Sequence, residues 1–121
     1  MARNAFNTSE AQSNSAKEDF EDLVLAVPAD LLSMVPGFLE RREKDLADLR
    51  QFIAVGDFNG IKCIGHRLRG SGGGYGLPRI SEIGQRMEAA ALVSDAAQVR
   101  DCILELSSLT VFLKAKFKSN V

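Results

Sequence analysis

Between Pro36 and Phe117 the apolar positions recur every three or four residues in successive stretches, separated by glycine, proline or short polar breaks. The first, "PGFLERREKDLADLRQFIAVGD", places Phe38, Leu39, Leu46, Leu49, Phe52 and Ile53 on one side, charges on the other, and stops at Gly56. Ahead of it, "LVLAVPADLLSMVPGF" is a short apolar stretch with one helix start at Pro28 and a second at Pro36. Asp57 is a good N-cap for the next helix, whose apolar residues are Ile61, Ile64 and Leu68. Leu77-Pro78 opens a third, with Ile80, Ile83, Met87 and Ala91 as its inner stripe. Ser94 and Asp95 mark a break. The last helix runs to about Lys118, with Val99, Ile103, Leu106, Thr110, Leu113 and Phe117 facing inward. This pattern predicts an all-α protein: an antiparallel four-helix bundle over residues 23–121, with a short extra helix at its N-terminal end. Residues 1–22, rich in Asn, Ser and Ala without an apolar period, read as a flexible polar arm or linker.

Composition narrows the function classes. A chain of 121 residues has room for one domain with a real core and none for a second. With 45% hydrophobic and 26% charged residues it has an ordinary soluble profile. Trp is absent, Tyr occurs once and β-branched runs are few, which favours helix over sheet. A net charge of -1 argues against nucleic acid as a partner, because that interface needs a basic face. No apolar run approaches the ~20 residues of a membrane span. The N-terminal stretch lacks the apolar core of a secretory signal, so the expected location is cytoplasmic. Cys63 and Cys102 are far apart and lack metal-site spacing, so both read as reduced thiols packed as small hydrophobes.

The chemistry concentrates in "GHRLRGSGGGYG", Gly65 to Gly76, which holds the only histidine of the chain. On a helical wheel over residues 57 to 73, Ile61, Ile64 and Leu68 fall in a narrow arc and His66 lies opposite, in solvent. Asn59, Lys62, Cys63, Arg69, Gly70 and Gly73 share its outer face. Each helical glycine costs ~1 kcal/mol relative to Ala, so this run needs a reason. It is not a P-loop, since no Lys follows the glycines, and no G-x-G-x-x-G can be completed from Gly70 or Gly72. The remaining reason is access: bare backbone at Gly70 and Gly73 lets another protein approach the imidazole. Ser71 and Gly72 fall on the inner side, where small residues allow close helix packing, and Gly72 to Gly74 read as structural. Gly76 suits a left-handed C-cap.

The segment "HRLRGSGGGYG" resembles the H-x-L-K-G-S signature of histidine-containing phosphotransfer (HPt) domains. These are four-helix bundles that carry phosphoryl groups between receiver domains in bacterial two-component phosphorelays. "VPADLLSMVPGFLERREKDLADLRQFIAVGDF" and "GLPRISEIGQRMEAAAL" fit the family's pattern in order and spacing, so about residues 25 to 117 are covered. The motif departs at Arg69, where Lys is usual; both are cations. The resemblance implies that His66 is the phosphoacceptor, Arg69 the cation beside it and Gly70 the gap that admits the receiver; the wheel puts Lys62 and Gly73 on the same docking face. It implies response-regulator receiver domains and a hybrid sensor histidine kinase as partners of a monomeric carrier. No cofactor is expected on this chain, the Mg²⁺ belonging to the receiver.

The residues agree with that chemistry. An exposed imidazole is in large part neutral at cellular pH, and its ring nitrogen can attack the phosphorus of an aspartyl phosphate. Arg69 and Lys62 can offset charge on the phosphoryl oxygens. There is no room for an ATP-binding module, so kinase activity of its own is not expected. A lone exposed His is ordinarily a surface residue without a role; the flanking cations, the helical glycines and the extended resemblance reverse that reading here. Lys62 can equally be a solvated side chain, Cys63 reads as a bystander, and "ERREKD" (Glu40 to Asp45) reads as the wet face of its helix. The competing function is a non-phosphorylated bundle that binds receivers as an adaptor or inhibitor, which a degenerate histidine would have supported. A metal-binding bundle fails because His66 has no ligand partner at i+3 or i+4.

Overall fold

The computed structural model describes residues 27–74 and 77–119. A short 3₁₀ helix, Ala29–Met34, leads into α1 (Val35–Val55), α2 (Phe58–Gly74), α3 (Pro78–Leu92) and α4 (Ala96–Ser119). Consecutive helices are joined by short connections and therefore run antiparallel, and α1 and α4 pack together to close the bundle. The arm expected at residues 1–22 and the C-cap expected at Gly76 lie outside the described residues.

The helix ends follow from local chemistry. Pro36 stands in the first turn of α1, where its missing N–H costs nothing. Gly56 ends that helix in the left-handed region at φ 72°, which a side chain would strain. The Gly60 amide donates to Asp57 Oδ1 at 3.0 Å, and the Gln98 amide to Asp95 Oδ1 at 3.1 Å, so two acidic N-caps start α2 and α4. Pro28 precedes the 3₁₀ helix as its cap residue rather than opening an α-helix, and that short element contributes no fully buried residue.

All four inner stripes converge on one core: Phe38, Leu39, Leu46 and Leu49 from α1, Ile61, Ile64 and Leu68 from α2, Ile80, Ile83 and Met87 from α3, and Leu106, Leu109 and Leu113 from α4. Thr110 is buried as well, its hydroxyl donating to the Leu106 carbonyl at 2.7 Å, so it enters the stripe without an unpaired polar atom. Phe52 and Ile53 are only partly buried, because they lie in the last turn of α1 at the edge of the core.

Two expectations need correction. Cys102 is buried, but Cys63 is exposed, since it stands on the outer face of α2 opposite Ile61 and Leu68. The segment Glu40 to Asp45 is not uniformly a wet face: Arg42 and Asp45 are only 6% and 4% exposed. They continue the stripe that runs from Phe38 to Leu49, and their charges survive there by pairing. Arg42 Nε donates to Asp45 Oδ2 at 3.0 Å, Arg42 Nη1 to Ser71 Oγ at 3.2 Å, and the guanidinium lies 4.6 Å from the Phe38 ring centroid. Arg67 Nη2 approaches the other Asp45 oxygen at 3.4 Å. Burial lowers the pKa of Arg42, and Asp45 opposes that shift.

Candidate functional site around His66

The α2–α3 pair is the most intimate of the bundle, and glycines make it so. A Cβ on Gly65 would stand 2.8 Å from the Glu88 amide nitrogen and 2.9 Å from the Gly84 carbonyl oxygen. One on Gly84 would stand 2.5 Å from the Arg69 amide nitrogen and 2.6 Å from the Gly65 carbonyl oxygen. Lower down, a Cβ on Gly72 would meet Leu77 O and Ser81 N, each at 2.7 Å. The two backbones therefore touch at positions where no larger residue fits. The glycine run divides accordingly. Gly72 is structural as expected, whereas Gly70 and Gly74 face open space and Gly73 is exposed with Ser81 Oγ 3.8 Å from its Cβ position. For Gly74 the structural reading is therefore corrected.

This close approach brings α3 within reach of the histidine. The His66 side chain is 62% exposed, as the wheel requires. Its Nδ1 lies 3.1 Å from Glu88 Oε2 and 3.2 Å from Arg69 Nη2, while Arg69 Nη1 lies 3.3 Å from Glu88 Oε1. Both polar contacts of the ring fall on Nδ1, which leaves Nε2 as the open nitrogen.

Only one of the two Nδ1 contacts can be a hydrogen bond at a time. If Nδ1 carries the proton, it donates to Glu88, and Arg69 stays held by the other carboxylate oxygen. If Nδ1 is bare, it accepts from Arg69 Nη2 at 3.2 Å, and its lone pair lies 3.1 Å from Glu88 Oε2. In the first arrangement the Arg69 Nη2 donor faces the Nδ1–H, and in the second the Glu88 carboxylate faces the lone pair; attack on phosphorus uses the first, which frees the Nε2 lone pair.

Of the residues singled out by sequence, the structure brings Arg69 directly to the imidazole. Lys62 is half-buried and lines an open hollow of about 370 Å³ together with Cys63, His66, Arg67 and Glu88. Gly70 has no neighbour within 4 Å of its Cβ position and no positive φ, so neither helix packing nor backbone strain requires a glycine there. Gly70 and Gly73 are not among the residues lining the hollow; they lie on the same exposed face towards the C-terminal end of α2. Sequence reasoning missed Glu88. Its one available signal was Gly84, one turn earlier on α3, which marks where that helix comes nearest to α2. Arg67 was missed too, since its partner Asp45 sits on another helix.

Among the described residues, no cluster of three or more His, Cys, Asp or Glu side chains is placed to hold a metal ion, and no helix is long and apolar enough to cross a membrane. The family model described as Hpt domain matches residues 33–110, a span that runs from the 3₁₀ helix to the middle of α4 and includes the whole site. Comparison with curated proteins and with solved structures returned no match.

Proposed function

The chain belongs to the Hpt domain family, and from that premise we propose that it is a phosphorelay carrier whose phosphoacceptor is His66. It takes a phosphoryl group from a receiver-domain aspartyl phosphate and passes it to another receiver. The observation that carries this reading is the ring geometry: Nδ1 engaged by Glu88 and Arg69, and Nε2 open on an exposed helix face.

The transfer is a displacement at phosphorus. The Nε2 lone pair forms the N–P bond while the acyl phosphate P–O bond breaks, and the electron pair leaves with the receiver's carboxylate. Arg69, next to the ring, offsets charge gathering on the phosphoryl oxygens, and Lys62 adds a second cation on the same face. The open surface at Gly70 and Gly73 allows the receiver's active site to descend on the ring, and its own acidic pocket supplies the Mg²⁺. The partners in this reading are a hybrid sensor histidine kinase and response-regulator receivers in a bacterial cytoplasm.

The test is incubation with a phosphorylated receiver, followed by assay for acid-labile phosphate on this chain. Wild type gains the label and His66→Gln does not, with helicity unchanged. Label on the Gln variant would reassign the site, and receiver binding without any transfer would favour the adaptor function instead.

A further inference from the structure

The Glu88 contact at His66 Nδ1 has a second consequence, at the moment the phosphoryl group leaves. Resting on His66 as the phosphoacceptor, we infer that Glu88 is a positioning residue that keeps Nδ1 protonated in the phosphohistidine and thereby makes the carried group easy to discharge.

Loading leaves the ring with phosphorus on Nε2 and a proton on Nδ1. In water that proton is free to dissociate, giving a neutral N-phosphoimidazole. Discharge then has to expel an imidazolide anion, which is a poor leaving group. If the Nδ1 proton is retained, the N–P electron pair returns to Nε2 and the departing group is neutral imidazole. Nothing else enters or leaves except the phosphoryl group, which moves to the acceptor's oxygen. The proton on the far nitrogen therefore decides how labile the phosphohistidine is.

Among the charges facing the ring, Glu88 is the one that favours retention. From α3 the ring meets Glu88, with Oε2 at 3.1 Å from Nδ1. From its own helix it meets Arg69, and Lys62 and Arg67 line the same hollow; all three are cations that oppose a proton on the ring. Arg67 pairs with Asp45, and Arg69 pairs with Glu88, so the Glu88 charge is shared between Arg69 and the ring. The phosphoryl group adds negative charge on the other side of the imidazole, and a proton between that group and Glu88 relieves their repulsion. The Glu88 side chain is only 20% exposed, so water screens this arrangement less than it would a fully solvated pair. An amide at position 88 can still accept the Nδ1–H bond but brings no charge, so Glu88→Gln separates the two contributions.

The experiment loads the chain with phosphoramidate, a small phosphodonor, and follows phosphohistidine decay by ³¹P NMR from about pH 5.5 to about pH 8. At the acid end both proteins carry the Nδ1 proton and decay alike. At about pH 8 the Glu88→Gln phosphohistidine should outlast wild type by about fivefold, the scale of one lost charge near a titrating ring. Discharge to a receiver should slow in parallel. Coincident pH profiles overturn the inference. So does failure of a folded Glu88→Gln protein to load, which would make Glu88 necessary for attack itself. A second measurement, independent of the variant, is the ¹⁵N spectrum of resting His66: a majority of the Nε2–H tautomer also overturns it. Because phosphoramidate needs no partner, the outcomes stay separate. Absent transfer from any receiver sinks the relay function, whereas an unchanged decay profile sinks only this role of Glu88.

Discussion

One added methyl group, placed at Gly70 or at Gly72, should move stability in opposite directions although the two positions are neighbours on α2. At Gly70 the added Cβ meets nothing within 4 Å and the backbone is helical, so alanine brings only its better helix propensity. That is worth up to ~1 kcal/mol, and about half of it is expected so near the end of the helix at Gly74. At Gly72 the same methyl would stand 2.7 Å from Leu77 O, 2.7 Å from Ser81 N and 2.8 Å from Ser81 Oγ. Two of these atoms are backbone, so α3 itself must move. Overpacking of this kind costs ~1–3 kcal/mol, and three simultaneous short contacts argue for the upper end. Subtracting the propensity gain leaves a net loss of about 2 kcal/mol. For a domain of this size each kcal/mol shifts Tm by roughly 4–8 °C. Gly70→Ala should therefore melt about 2–4 °C higher and Gly72→Ala about 10 °C lower in thermal unfolding followed by circular dichroism. A Gly70→Ala protein that melts lower, or a Gly72→Ala protein that melts as wild type, would refute this division of the glycine run. The functional half of the argument uses a bulkier residue. Gly70→Gln should keep wild-type stability yet bind receivers weakly and accept phosphate slowly, since a small displacement of the partner takes phosphorus out of reach of Nε2.

Arg69→Lys should transfer phosphate at close to the wild-type rate, whereas Arg69→Ala should lose about tenfold, or ~1.4 kcal/mol, in rapid-quench assays of transfer; equal rates would remove Arg69 from the site. Asp45→Ala leaves the Arg42 guanidinium buried without its carboxylate and should cost about 3 kcal/mol in urea unfolding; a loss below about 1 kcal/mol would mean that water reaches Arg42. A thiol reagent should label Cys63 in the native protein and spare Cys102, which is buried and whose thiol pKa burial pushes up; mass spectrometry showing both labelled before unfolding would contradict the packing of α4.

Much of the bundle was legible along the chain because helix formation is decided over a few residues. Gly56 and Asp95 punctuate the helices by their own backbone and side-chain chemistry, and the exposure of His66 follows from its angle to Ile61, Ile64 and Leu68. Arg42 and Asp45 were misread for an instructive reason. The helical period placed them inside, between Phe38 and Leu49, and their charge argued for outside. Position prevailed because each provides the other's hydrogen-bonding partner, which neither could have revealed alone.

By itself, then, the sequence determined the four helices, their inner faces, the lone histidine on an outer face and the resemblance that its motif carries. Tertiary structure alone decided that Glu88 meets Nδ1, that Arg69 is shared between the ring and that carboxylate, and that Gly65 and Gly84 join Gly72 in one seam. The physical reason is one of range. A helix's caps and amphipathic face depend on residues three or four apart, but the rotation and register between two helices depend on every contact in the core. A pair 22 positions apart, such as His66 and Glu88, is placed only once that whole core has closed.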